Sequence, residues 1–320
     1  MNNAYSIDVL TEESPIRAIE QTIGDSLFAF QKYNWLASAG GHIKSIVCYD
    51  QAGMVKGYLP LVKSKRFGVN VYIPPPHTPY FGPVTFEEDV HKVGQVIEAL
   101  LQPVISEAHL DFMLPVSDGN ILPYLKLGFT VEARQNHTSD LDYDIDKVHT
   151  SKKRYLQKLL DLEEKGELQI ISDRTAVDDI LQLYKITSQR VKFSSRIELL
   201  KNILAHQNNE DVRTLLIKDK NGRSLAGAIC PKDSMRWYHL INASERSSDS
   251  LLDKANFLSL YIMLTKAAGE GCIFDFEGSG IPGVANFYRM MGGKPSLKYR
   301  IQKTKSKRYT ALHFLRKSID

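Results

Sequence analysis

The chain carries two copies of one pattern, and this repeat limits its fold more than any single motif does. Ile43-Lys44-Ser45-Ile46-Val47-Cys48 aligns without a gap on Val212-Arg213-Thr214-Leu215-Leu216-Ile217, an offset of 169 residues (212 − 43), with chemical type kept at each position. Asp50 and Asp219, then Gly53 and Gly222, continue the match. Each segment reads as a strand closed by an Asp-x-x-Gly turn. A second apolar strand follows each one, Val55 to Val62 and Ser224 to Cys230. Further on, Asp111-Phe112 matches Asp275-Phe276, Tyr124 matches Tyr288 and Gly128 matches Gly292, at an offset of 164 (288 − 124). One loop absorbs the difference between the two offsets. The expectation is a duplicated domain: residues 1–145, a connecting helix over 146–166 and a second copy over 167–320.

The second copy is the clearer one. A strand is expected over Glu167–Ile171, then a helix from Thr175 to Arg190 with Asp173 as its cap and Val177, Ile180, Leu181 and Tyr184 on one face. A helix over Arg196–His206 precedes three strands, Val212–Lys218, Ser224–Cys230 and Arg236–Asn242. Then come a polar loop, a long apolar helix over Leu251–Ala268, a buried strand over Cys272–Phe276, a helix from Pro282 to Met291 and a closing strand over Ser296–Gln302. Pro282 in the first turn and Gly292 beyond the end punctuate the last helix. A meander followed by a β-α-β crossover means a mixed α/β fold with helices on the faces of a mixed sheet. The connecting segment holds Lys152, Lys153, Arg154 and Lys158 beside an apolar set that includes Tyr155, Leu156 and Leu159, enough to dock one face.

Composition excludes several classes. At 320 residues, 43% hydrophobic and 24% charged, the chain is neither disordered nor fibrous. A formal charge of +4 permits an anionic partner without requiring one. Three scattered cysteines, Cys48, Cys230 and Cys272, form neither a disulfide framework nor a metal motif, and no His/Cys spacing suits a metal. No leader and no membrane-spanning stretch is read, so a cytoplasmic protein is expected. Oligomeric state is not legible.

The β-α-α-β-β-β-α-β-α-β order resembles the GNAT acyltransferase superfamily. Ala285-Asn286-Phe287-Tyr288-Arg289-Met290-Met291-Gly292-Gly293 looks like the fourth helix of that superfamily, and Pro123-Tyr124-Leu125-Lys126-Leu127-Gly128-Phe129 is its counterpart in the first copy. Two such domains in one chain resemble the Fem-like group, as do Phe274-Asp275-Phe276-Glu277-Gly278-Ser279 and the basic helix start Ser151-Lys152-Lys153-Arg154. The resemblance implies two tandem GNAT-like domains that move an acetyl or aminoacyl group from acyl-CoA or aminoacyl-tRNA to an amine. A small molecule or a peptidoglycan precursor of the cell wall would be the acceptor. One departure stands out. GNAT enzymes that bind acetyl-CoA carry a glycine-bearing phosphate loop before the third helix, whereas this chain reads Glu245-Arg246-Ser247-Ser248-Asp249-Ser250-Leu251-Leu252-Asp253-Lys254. Ser247, Ser248, Ser250 and Lys254 are the candidate donor-phosphate contacts.

For the reaction, the resemblance gives Tyr288 as general acid, against the alternative of a core tyrosine with a satisfied hydroxyl. Strand alternation turns Asp275 away from Phe274 and Phe276 and puts Glu277 at the strand end, placed to deprotonate the incoming ammonium. The competing reading of Asp275 is an ion pair or a backbone cap. His239 to Asn242 would supply N–H groups to the oxyanion, and Ser279 would shape the loop over the substrate. Tyr80 lies by the acceptor if the Fem-like likeness holds, or else covers the sheet edge. Lys152, Lys153 and Arg154 are the candidate tRNA contacts, or a solvated face. A catalytically inactive double-GNAT protein that binds a glycan or peptide intermediate is the rival to the enzyme.

Overall fold

The structure, a computed structural model, describes residues 5–115, 121–246, 249–278 and 281–317. The chain folds as two units, one formed by residues 1–134 and 297–320, the other by 135–296.

In the first unit, β1 (Tyr5–Leu10), β2 (His42–Asp50), β3 (Val55–Arg66) and β4 (Val69–Tyr72) run as an antiparallel meander, with β5 (Val84–Thr85) against β3. β6 (His109–Pro115) joins β4 in parallel, Val71 opposite His109. A parallel neighbour requires a crossover. Helices α1 (Glu13–Ile23) and α2 (Tyr33–Ser38) precede β2, and α3 (Val90–Leu101) forms that crossover. Asp89 caps α3 by accepting the His91 N–H at 2.9 Å. α3 lies so close to β3 that a Cβ on Gly57 would stand 2.5 Å from Val96 Cγ1. α4 (Leu122–Lys126) follows β6.

The second unit repeats this plan. After β7 (Thr130–Thr138) and α5 (Thr150–Glu164) come β8 (Leu168–Ile171), α6 (Val177–Val191) and α7 (Ile197–Ala205). β9 (Val212–Asp219), β10 (Ser224–Pro231), β11 (Arg236–Tyr238) and β12 (Ile241–Ser244) follow, then α8 (Ala255–Gly269), β13 (Ile273–Asp275) and α9 (Pro282–Met290). β12, β10, β9 and β8 form one antiparallel sheet, while β11 pairs in parallel with β13. Alternation in β9 sorts its side chains onto two faces: Leu215 and Ile217 meet Leu258 and Leu264 of α8, and Leu216 meets Ile180 of α6 and Leu200 of α7. Both faces are covered, which is why Leu215, Leu216 and Ile217 form an unbroken apolar run in the middle of the strand.

Four expectations are revised. The connecting helix is part of the second unit, because Leu156 and Leu159 of α5 are fully buried in the same cluster as Phe257 and Leu258. The strand expected over Arg236–Asn242 is two strands, β11 and β12, broken at His239-Leu240. The long helix expected from Leu251 starts as a 3₁₀ turn, Leu252–Lys254, and becomes α-helical at Ala255. The closing strand of the second copy is β14 (Lys294–Thr304), followed by α10 (Lys307–Lys317). Residues 298–304 of β14 pair with β6 in the first unit, and residue 138 of β7 pairs with Asp275 of the second. Each copy is therefore finished by a strand that the sequence order assigns to the other. Alternation shows that a segment is a strand; it does not name the edge that strand will join.

Among the described residues, no helix is long and apolar enough to cross a membrane, and no group of His, Cys, Asp and Glu is arranged to hold a metal.

Candidate functional site

The break between β11 and β12 builds the site. β11 runs beside β13 in parallel register, Trp237 opposite Phe274 and Tyr238 opposite Asp275. The His239 N–H then donates to the Asp275 carbonyl at 2.8 Å. Immediately afterwards the Leu240 N–H donates to the Tyr238 carbonyl at 2.8 Å, a tight kink that turns the chain away. β12 continues beside β10, with Ile241 opposite Ile229 and Asn242 opposite Ala228. Two parallel strands thus separate into a fork at His239.

The edge of β12 facing away from β10 borders the fork. The Glu245 N–H reaches β10 through the Leu225 carbonyl, whereas the Ser244 N–H turns the other way and donates to Thr187 Oγ1 at 3.2 Å. By the two-residue period of a strand, the Asn242 N–H shares the outward edge with Ser244. It is the first N–H of β12 that points away from β10.

The opposite arm is a shaped turn. Phe276 donates its N–H to the His137 carbonyl at 3.0 Å. Glu277 has φ +63° and Gly278 has φ +70°. A Cβ on Gly278 would fall 2.6 Å from the Gln135 carbonyl oxygen, so only glycine fits there. Asp275 anchors the turn. It is 0% exposed; Oδ1 accepts from Asn136 Nδ2 at 3.0 Å and from the Glu277 N–H at 2.8 Å, and Oδ2 lies 3.6 Å from Arg236 Nη1. Its repeat partner Asp111 is also buried and held by Arg300, with Nη2 2.6 Å from Oδ2. The aspartate of the repeat is a paired structural residue in each unit, which is the ion-pair reading of Asp275; a carboxylate enclosed this way is not open to a substrate.

Tyr288 on α9 faces the fork. Its ring lies 4.8 Å from that of Phe276, 6.0 Å from His137 and 6.2 Å from His239. It keeps 8% of its surface. Burial, reinforced by the Glu277 carboxylate, pushes its phenol up to about 12, so it stays protonated at neutral pH. His239 is buried against Phe274, and burial lowers it to about 4, which keeps its imidazole neutral. Neither of its ring nitrogens has a hydrogen-bond partner among the described residues. Burial and the Glu277 charge hold the Cys230 thiol well above the usual range, which removes it as a nucleophile.

One residue of this site, His137, was not legible in the sequence as part of it. His137 stands on β7, in what the repeat assigns to the first copy. It is 1% exposed, and its Nδ1 has no partner among the described residues. Together with Gln135, Pro282, Ala285, Asn286, Arg289 and Pro295 it lines a cleft of about 340 Å³ on the α9 side of Tyr288.

The remaining expected residues are placed as follows. Tyr80 is a buried ring of the first unit, 1% exposed, with Lys298 Nζ 5.4 Å from its centroid; such a ring offers a substrate no free face. Ser247, Ser248 and Ser279 lie outside the described residues. Ser250 is exposed, and Lys254 pairs with Asp253 at 2.7 Å. The Leu251 and Leu252 N–H groups, which begin the turn into α8, donate to Asp249 Oδ1 at 2.7 and 3.2 Å. A carboxylate occupies the donors a pyrophosphate would take, so the described part of this loop does not fit that group. Lys152 lies over the Phe257 ring at 4.9 Å and Lys153 pairs with Asp146 at 2.7 Å, while Arg154 is exposed.

A meander, a parallel crossover and a fork where two parallel strands part define a GNAT-type fold; the meander and the crossover recur in the first unit. The comparisons agree on fold. FemX superposes with a TM-score of 0.71 at 15% identity, over 92% of this chain and 96% of that one. The L-PGS of Bacillus licheniformis gives 0.57 at 14% identity, with 96% of each chain covered. A tandem GNAT protein from the clavulanic acid biosynthesis pathway gives 0.51 at 9% identity, over 94% of this chain and 98% of that one. No protein-family model and no curated protein sequence matches the chain.

Proposed function

We propose that the chain is an N-acyltransferase whose second unit performs the chemistry. The observation that carries this reading is the fork at His239, with Asn242 on one arm, Glu277 on the other and Tyr288 across from it. The acceptor amine gives its proton to the Glu277 carboxylate and attacks the acyl carbonyl, forming the C–N bond. The Asn242 N–H stabilises the oxyanion. As the C–O bond of an ester or the C–S bond of a thioester breaks, the Tyr288 hydroxyl protonates the leaving atom, and Glu277 returns a proton to the tyrosinate. A phenol near 12 is matched to a strongly basic leaving alkoxide. Asp275 is a positioning residue that holds Glu277 in its left-handed conformation. The Asp249 contacts favour an aminoacyl ester, as in aminoacyl-tRNA, over acyl-CoA as donor. Of the basic helix start, Arg154 is the exposed cation for a tRNA, and a cell-wall peptide precursor is the acceptor class the Fem-like likeness suggests.

The test is amide formation from charged tRNA or acetyl-CoA with wild type, Tyr288→Phe and Glu277→Gln. Each variant should lose roughly 10²–10⁴ in kcat with little change in donor affinity. Full turnover in both removes these residues from the mechanism. A second reading, an inactive double-GNAT protein that binds a glycan or peptide, is favoured by the carboxylate seated at the phosphate position. Calorimetric titration with charged tRNA and with acetyl-CoA separates the two, because heat with neither donor supports the binding protein.

A further inference from the structure

We infer that the cleft beside Tyr288 takes the carboxylate of the acceptor, so that the amine substrate is an amino acid or a peptide presenting a carboxylate near its reacting nitrogen. This rests on the acyltransferase reading for its role, but not for its chemistry.

Three features of the cleft point to a carboxylate. The first is charge: Gln135, His137, Pro282, Ala285, Asn286, Arg289 and Pro295 line it, so among the described residues Arg289 is the one charged side chain of that lining, and no carboxylate is among them. The second is orientation. Arg289 Nη2 donates to Asn286 Oδ1 at 2.7 Å, one turn back on α9, which fixes the guanidinium plane and leaves the remaining N–H groups for a planar two-oxygen anion. The third is an orphan. His137 is buried, yet its Nδ1 has no partner among the described residues. Leaving a buried polar atom unsatisfied is costly, and a bound ligand that hydrogen-bonds to it removes that cost. Burial and the neighbouring Arg289 charge both disfavour the imidazolium, so His137 meets a ligand as a neutral ring that can donate one hydrogen bond.

Size and position agree with this. About 340 Å³ lies at the small end of the usual small-molecule range of about 300–1,000 Å³, suited to one or two amino-acid residues. Arg289 follows Tyr288 directly in α9, and the His137 ring is 6.0 Å from that of Tyr288. A carboxylate held by Arg289 therefore sets its own α-carbon and neighbouring nitrogen close to the fork. Substrates lacking the carboxylate would lose this anchor, and the cleft thereby selects among amines.

The experiment uses the full chain and needs no turnover. N-acetylglycine, N-acetylglycinamide and inorganic phosphate are titrated separately, followed by calorimetry and by ¹⁵N chemical shifts of the histidine side chains. N-acetylglycine should bind with Kd of order 1 mM and move the His137 Nδ1 resonance, while the amide should bind at least tenfold more weakly. Arg289→Gln, an exposed substitution that leaves the core intact, should weaken N-acetylglycine at least tenfold, and Arg289→Lys should restore part of the loss. Equal binding of acid and amide, indifference to Arg289→Gln, or phosphate binding tighter than the carboxylate would each overturn the inference. Carboxylate binding that persists in a chain inactive with every donor would refute the transferase reading and leave the site standing.

Discussion

Replacing Asp275 by alanine tests whether the repeat aspartate is a structural anchor. The substitution removes the acceptor for Asn136 Nδ2 and for the Glu277 N–H, and strips Arg236 of its 3.6 Å partner. Hydrogen bonds to a charged acceptor contribute about 1.5–3 kcal/mol each, but these share one carboxylate and do not add. Removing one member of a buried pair costs about 3–5 kcal/mol, and both members here are well enclosed, so that figure is the expected loss for the second unit. Asp275→Asn keeps an oxygen for the two amide donors and loses only the charge facing Arg236, so about half that loss is expected. Trp237, next to Arg236, reports on this unit, and a Trp35→Phe background isolates its emission during urea unfolding. A loss under about 1 kcal/mol for the alanine variant would refute the anchoring argument, because the Asn136 and Glu277 N–H groups would have lost a fully buried, charged acceptor. With Glu277 no longer held at positive φ, turnover should fall as well.

Two further outcomes follow from the charges. Glu20 in the first unit is raised from 4.5 to about 7 by burial, which outweighs the hydrogen bonds it accepts from the Tyr33 N–H and the Tyr58 hydroxyl. Between those values the folded state holds a proton that the unfolded chain has lost. Stability should therefore be fully present below about pH 4.5 and decline by about 3 kcal/mol as pH rises through 7; Glu20→Gln should flatten that slope in denaturant titrations across this range. Asp249→Ala should free the Leu251 and Leu252 N–H groups and tighten CoA binding by about tenfold in calorimetry, and weaker binding would mean that the carboxylate builds the donor loop instead of blocking it.

Much of the fold was legible because it is local. The strand at Val212, the Asp173 cap and Pro282 at the start of α9 all depend on neighbours in sequence. The doubled pattern added the domain plan, since the same meander and crossover recur in both units. The repeat also cautions about Tyr288. Its counterpart Tyr124 is a buried ring packed edge-on to Phe129, so the role proposed for the Tyr288 hydroxyl rests on the setting of the second copy and not on the motif. The site was only half legible. Glu277 and Tyr288 stand at the fork where the motif places them, and their roles are proposals; His137 was not legible, because it reaches the fork from a strand that the repeat assigns to the other copy. The kink at His239 was equally hidden, since Arg236 to Asn242 contains no glycine or proline to mark a break.

What the sequence determined alone is the kind of element at each position and the presence of two copies, for helical and strand periods are written in adjacent residues. Only the tertiary structure decided which strand closes each sheet, where two parallel strands part, and which carboxylate is enclosed by a guanidinium. Those outcomes depend on partners far apart in sequence, some by more than a hundred residues, as Asn136 with Asp275 and Asp111 with Arg300, and a periodicity carries no record of its partner.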